Sequence, residues 1–383
     1  MAEKTMIYLD YNASTPIDPR VADAMRPYLY DLHGNPSSAH RIGSQVRDAV
    51  NRAREQVASF INAAPTEVVF TSGGTESSNH VIKGVAHTLR DKGRHIVTSA
   101  IEHPATLAPC HYLESLGFEV TVVGVDQYGW INPDEVATAL RDDTILVSIM
   151  HANNEVGTIQ SIEKISELTR ARGIWLHTDA AQSCGKIPVD CRKLGVDFLS
   201  VAGHKFYAPQ GIGALFIRDG IQIEPLMHGA GHESGRRAGT EAVTNIVGLG
   251  AAAELATEHL YDTQPKQCRD MLWEAIQNQL GDDARLLGHP ENRLPNTLAV
   301  AFQQRIGVDL LNACPDICAS TGAACHAKDR KRSAVLAAMD VPEEFAFGTV
   351  RFSTGRSTTP DDIKTAAPMI INAYRNLAKT ATA

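Results

Sequence analysis

The feature that most restricts this chain is an alternation. Short apolar runs recur between residues 67 and 218: EVVF (67–70), HIVTS (95–99), FEVTVVGV (118–125), TILVSIM (144–150), IWLHT (174–178), DFLSVAG (197–203) and GALFIR (213–218). Helical patterns lie between most of them. Nearly continuous apolar strands separated by helices belong to a mostly parallel sheet with helices on both faces, an α/β fold. Such sheets bind ligands beyond the carboxyl ends of their strands, so functional residues are expected just after these runs. Ahead of them, Ile42, Val46, Ala49, Val50, Ala53, Val57 and Phe60 follow helical spacing, with Ser38 as the candidate cap. Asn132 and Pro133 suit a cap and first turn. The pattern weakens over 254–267, which reads as one long helix and a domain junction. LAVAF (298–302) and a final helix from Pro360 predict a smaller α+β domain. The expected division is a large domain over 16–258 and a small one built from 1–15 and 259–383.

The 383 residues exceed one ordinary core. A formal net charge of −8 disfavours nucleic acid or an anionic membrane as main partner. No apolar run approaches the ~20 residues of a membrane span. The opening MAEKTMIYLDYN has no apolar signal-peptide core, and the seven cysteines form no compact framework. A cytoplasmic location with free thiols is therefore expected.

Four strand ends carry chemistry. Lys205 follows DFLSVAG directly, where partial burial would disfavour its ammonium and leave a nucleophilic amine; a lysine that caps a strand and snorkels to solvent is the plainer alternative. Asp179 follows IWLHT. TSGGTES (71–77) is a glycine-rich turn feeding a helix, whose free N–H groups suit a phosphate. His103 follows HIVTS within EHPA. A pyridoxal phosphate enzyme needs these parts: a Schiff-base lysine, a carboxylate for the ring nitrogen, an anion nest and a ring-stacking side chain.

CASTGAACHAK (318–328) poses a separate question. Cys325 could join Cys314, Cys318 and His326 on zinc, but Pro315 interrupts the pair and zinc would block the thiol. A packing role needs apolar neighbours, which Cys314 and Cys318 have and Cys325 lacks; Cys184 and Cys191 also read as structural. The nucleophile reading fits best. Small residues and Gly322 let a loop carry a thiol to a deep site, and His326 with the basic run 328–332 favours thiolate. No metal site is expected.

The ordered set YLDYNASTP (8–16), GNPSSAH (34–40), TSGGTES, EHPA, MHANNEVG (150–157), HTDAAQ (177–182), GHKFYAP (203–209), GRRAGTE (235–241), GAAC (322–325) and VRFSTGRSTT (350–359) resembles the cysteine desulfurases and selenocysteine lyases of the class V aminotransferase family. The resemblance implies a pyridoxal 5'-phosphate (PLP) transferase of fold type I. It makes Lys205 the cofactor-linking amine and proton carrier, and Asp179 the partner of the pyridine nitrogen. Gln182 and Asn154 would bond the ring hydroxyl, and His103 would stack on the ring and help move protons. The backbone after Gly74, Thr75 and His204 would hold the phosphate, with Thr240 reaching it from the other subunit of a homodimer. Arg351, with Asn35 beside it, would hold the substrate carboxylate. Cys325 would take sulfur from L-cysteine as a persulfide, release L-alanine and pass the sulfur to an acceptor protein or small thiol. Two departures stand out. Ala202 replaces a Ser or Thr common before GHK, and GAACH replaces GSAC followed by Ser or Thr. The second is similar to the selenocysteine lyase branch, so L-selenocysteine is the alternative substrate; a transaminase is the third reading.

Overall fold

The computed structural model describes residues 6–321 and 332–377. Its strands are β1 (Ile7–Tyr8), β2 (Val68–Thr71), β3 (His95–Ser99), β4 (Glu119–Val123), β5 (Thr144–Ser148), β6 (Trp175–Asp179), β7 (Phe198–Ala202), β8 (Gly213–Ile217), β9 (Ala284–Leu287), β10 (Thr297–Phe302), β11 (Ile317–Cys318) and β12 (Thr349–Ser353). Seven make the main sheet, in the order β2-β8-β7-β6-β5-β3-β4. β7, β6, β5, β3 and β4 pair in parallel, whereas β8 runs antiparallel to both of its neighbours. The apolar runs at 67–70, 95–99, 118–125, 144–150, 174–178, 197–203 and 213–218 all supply strands of this sheet. β2, β3, β5, β7 and β8 are buried along their whole length, which is why these runs carry no polar alternation.

The helix Arg41–Phe60 buries Val46, Ala49, Val50, Ala53 and Val57 of the face its spacing predicts, but Phe60 is only half-buried and Ile42, in the first turn, is exposed. Its cap is His40 rather than Ser38. The Ser38 N–H is engaged by the Asn35 carbonyl in a preceding turn, and His40 Nδ1 accepts from the Gly43 N–H at 3.2 Å. This helix lies against Val243–Glu258 at Gly250, where a Cβ would stand 2.6 Å from Ala53 Cα; only glycine permits that approach. Asn132 caps Pro133–Ala139 as expected. The single helix expected over 254–267 is instead two, Val243–Glu258 and Gln264–Leu280. Pro265 explains the break, because its ring cannot follow a preceding helical turn but fits a first turn.

A three-stranded antiparallel sheet, β12-β10-β9, forms a second layer with Gln264–Leu280 and Pro360–Asn376. Its core joins Ile7 and Leu9 to Leu272, Val300, Phe352 and Ile370. Ala299, Val335 and Phe345 turn instead into the core beside the large sheet. Burying each of the larger of these, a Val, Leu, Ile or Phe, contributes roughly 1.5–3 kcal/mol. Among the described residues no helix is long and apolar enough to cross a membrane.

Candidate active site

The carboxyl ends of β2, β3, β5, β6 and β7 open on one cleft of about 230 Å³. Gly74 and Thr75 line it from the start of the helix Gly74–Thr88, and His103 from the turn after β3. Asn154 comes from beyond β5, Asp179 and Gln182 from β6 and its following turn, and His204 and Lys205 from the turn after β7. Arg351 enters from β12, and Asn12 and Ala13 from the N-terminal segment. Nine expected site residues are thus gathered: Gly74, Thr75, His103, Asn154, Asp179, Gln182, His204, Lys205 and Arg351. Asn35 and Thr240 are exposed and do not line this cleft. Cys325, Gly322 and His326 lie outside the described residues.

The Lys205 amine donates to the carbonyls of Asn12 (2.7 Å) and Ala13 (2.8 Å). Burial, then the Arg351 cation, draws it down to about 8, against the pull of Asp179 and Asp10. A reactive amine near neutrality follows. Asp179 is buried and accepts from the Ala181 N–H at 2.9 Å. Desolvation still raises its carboxyl above the usual range, only partly offset by that N–H, His103 and Lys205. His103 caps the helix Pro104–Glu114 by accepting from the Ala105 N–H through Nδ1 at 3.1 Å, which assigns the ring proton to Nε2. Burial lowers its basicity.

The Arg351 guanidinium donates to the Asn154 carbonyl (2.8 Å) and to Asp10 (2.9 Å), and its buried Nε has no hydrogen-bond partner among the described residues. At the other end, Gly73 precedes the helix with φ +149°, a conformation for glycine, and no side chain caps the first turn. Burial, then Lys205 and Lys186, pulls His204 down to about 4.

Six other cysteines are free. Burial pushes Cys110 and Cys184 up to about 12 and Cys314 up to about 11, and holds Cys191 well above the usual thiol range. Cys314 donates to the Leu310 carbonyl at 3.0 Å, the packing role expected of it. No cluster able to hold a metal ion occurs among the described residues.

Sequence reasoning gave no role to Asn12, Glu102 or Lys186. Asn12 and Glu102 stand inside quoted motifs, YLDYNASTP and EHPA, so their motif was visible and their contacts were not. Glu102 accepts from Ser99 Oγ (2.6 Å) and the Met150 N–H (2.8 Å), tying the ends of β3 and β5 together, and burial pushes it up to about 8.

Residues 7–365 match the family described as aminotransferase class-V. The chain belongs to that family. It is similar to proteins named cysteine desulfurase IscS. The Dictyoglomus turgidum protein is 46% identical over 94% of this chain and 92% of its own length, and the Methanosarcina thermophila protein 46% over 98% and 94%. Among solved structures it resembles a NifS-like protein (TM-score 0.91, 37% identical, 97% of this chain and 100% of that one) and "SspA in complex with cysteine" (0.82, 38%, 91% and 98%). The fold is therefore that of the PLP-dependent enzymes expected from the sequence, and the cofactor of this class V member is pyridoxal 5'-phosphate. The cleft fits it. A lowered amine answers an aldehyde, a buried acid that lacks a full counter-charge answers a protonated ring nitrogen, and an uncapped helix start answers a phosphate.

Proposed function

We propose that the protein is a cysteine desulfurase that converts L-cysteine to L-alanine and holds the sulfur as a persulfide on Cys325. One observation carries the reading. The Lys205 amine, the Asp179 acid and the Arg351 fork meet in one cleft, on a chain 46% identical to relatives named for that activity. When bound, PLP supplies an aldehyde for the substrate amine and a ring that draws electron density from Cα. Lys205 would be the amine that holds the aldehyde, and it would move the proton at the substrate Cα. Asp179 would keep the ring nitrogen protonated, and Gln182 and Asn154 would bond the ring hydroxyl. His103, with its proton on Nε2, would stack on the ring. The N–H groups after Gly74, with Thr75 and His204, would hold the phosphate. Arg351 offers its remaining N–H groups to the substrate carboxylate, for which its planar fork is suited. Cys325 thiolate then attacks the substrate sulfur. An S–S bond forms as the Cβ–S bond breaks, the electron pair stays with carbon, and protonation there completes alanine.

In this reading Thr240 acts in a second copy's cleft, which makes the enzyme a homodimer, and Asn35 serves the substrate carboxylate with Arg351. Both are exposed, and the short helix Pro27–Tyr30 buries none of its residues and leaves Tyr30 76% exposed, a face suited to a partner. An exposed persulfide needs an acceptor, a protein or small thiol, and a cytoplasmic enzyme would meet both.

The test compares alanine release from L-cysteine and L-selenocysteine in the wild type and in Cys325→Ala. Desulfurase action predicts that the variant loses cysteine turnover and that no 2-oxo acid is required. Selenocysteine turnover far above that on cysteine, and surviving in Cys325→Ala, would replace this reading with a selenocysteine lyase.

A further inference from the structure

A second lysine amine lies within the same hydrogen-bond network as Lys205. Lys186 Nζ donates to Asn12 Oδ1 (2.9 Å) and to Gln182 Oε1 (2.5 Å). Asn12 is wholly buried and its other groups are all engaged. Its N–H donates to Ser353 Oγ (2.9 Å), its Nδ2 donates to Thr297 Oγ1 (2.8 Å), and its Oδ1 also accepts from Asn296 (3.0 Å). The Asn12 carbonyl accepts from two groups, Lys205 Nζ at 2.7 Å and Gln182 Nε2 at 3.0 Å. One backbone carbonyl thus holds both the amine that would join the cofactor and the amide that would bond its ring hydroxyl.

A carboxamide has nearly the same shape either way round, so shape alone does not decide which end of Gln182 faces the cleft. Lys186 decides it. An amine in contact with two amide oxygens gives both of them N–H donors, whether or not it carries its third proton. With Oε1 turned to Lys186, the Gln182 Nε2 is directed to the Asn12 carbonyl, beside Lys205. The opposite orientation would set Oε1 against the Asn12 carbonyl oxygen, two acceptors facing each other, and Nε2 against the Lys186 amine.

We propose that Lys186 is a positioning residue of the active site, fixing the orientation of the Gln182 amide and the Asn12 carbonyl that anchors Lys205. The proposal rests on the reading of Lys205 as the cofactor-linking lysine. A lysine there for solubility would reach water. This one is drawn well below the usual lysine range, first by burial and then by the Lys205 and Arg351 cations, a cost that its two contacts must offset.

The test is a double-mutant cycle on Lys186→Met, Gln182→Leu and both together, read as release of PLP from the holoenzyme, the absorbance band of the bound cofactor, and the melting temperature. If Lys186 acts through Gln182, Lys186→Met speeds cofactor release about tenfold and shifts the band as Gln182→Leu does. The second substitution then adds at most about twofold. Multiplicative effects, or a lowered melting temperature with an unshifted band, would mean a merely structural lysine and overturn the proposal. Borohydride reduction of the wild-type holoenzyme followed by peptide mass spectrometry separates the two failures. A label on Lys205 with an additive cycle sinks only the role of Lys186, whereas a label elsewhere sinks the reading beneath it.

Discussion

Two largely buried clusters of charge, one at the sheet edge and one in the cleft, are finished to different degrees. At the β2 edge of the large sheet, Arg54 and Glu233 form a closed pair. Arg54 gives Nη1 to Glu233 Oε2 and Nη2 to Oε1, each at 2.7 Å, and its Nη1 also reaches the Val68 carbonyl (2.9 Å). Glu233 takes a further bond from the Phe70 N–H (2.8 Å), and the guanidinium lies 4.5 Å above the Phe70 ring. In the cleft, by contrast, Asp179 is raised, Lys205 is lowered, and Arg351 Nε is unpartnered among the described residues. A charge whose valences are filled by its own chain holds the fold. In the cleft, where three such groups converge, a charge left short after folding is set for something that arrives later. The difference separates a structural ion pair from a site more sharply than burial does, since both clusters are buried.

The largest effect should come from the cleft. Lys205→Ala removes both the attachment point and the proton carrier, and alanine formation should fall by ~10⁴, the upper range for a lost acid–base group. The protein should nevertheless keep or raise its cofactor-free unfolding midpoint, because a poorly solvated amine has gone. Turnover assays and denaturant melts on one preparation check both halves; a destabilised but active variant would erase the contrast.

Glu233→Gln should behave in the opposite way. It leaves the Arg54 guanidinium buried against a neutral group, and breaking such a pair costs about 3–5 kcal/mol. Denaturant unfolding at constant slope measures it. A loss under about 1 kcal/mol would place the pair with ordinary exposed bridges and remove the comparison's structural arm.

The same distinction explains what was legible in the chain. Strand positions followed from local apolar runs, and Lys205, Asp179 and His103 from their place just after those runs, because topology fixes where a parallel sheet opens. What escaped depends on contacts between distant segments. Asn12 reaches Lys205, Gln182 and Asn296 only after folding, and Lys186 follows no strand run, so neither position announced a role. Ser38 was a good cap by residue type, but the helix begins two residues beyond it, where the His40 ring nitrogen accepts the first-turn N–H in its place.

A smaller effect is the pH dependence of cofactor attachment. With the Lys205 amine at about 8 instead of 10.5, neutral amine at pH 7 is about 300-fold more abundant than on an ordinary lysine. The attachment rate of PLP to cofactor-free enzyme should rise about tenfold between pH 6 and 7 and level off just above pH 8. The sign for stability follows. The unfolded chain binds this proton up to pH 10.5 and the folded one only to about 8, so this group's contribution to cofactor-free stability rises with pH across that window. A rate still climbing at pH 10 would return Lys205 to the ordinary range and, with it, to the plainer role of a lysine reaching solvent.

The smallest expected effect tests whether the cleft's phosphate end is as incomplete as its other end. Ala202 closes β7, is buried, and places its methyl 3.4 Å from where a Cβ on Gly74 would stand. It therefore faces the uncapped start of the helix Gly74–Thr88. Ala202→Ser adds a single hydroxyl there, and one hydrogen bond to a charged group is worth ~1.5–3 kcal/mol, of which desolvating the hydroxyl returns part. PLP should leave the holoenzyme about tenfold more slowly. Ala202→Val should act the other way, by filling the space beside Gly74 with two added methyl groups and gaining no donor. If serine and valine instead weaken binding alike, volume rather than hydrogen bonding governs this corner, and the phosphate must sit farther along the helix start.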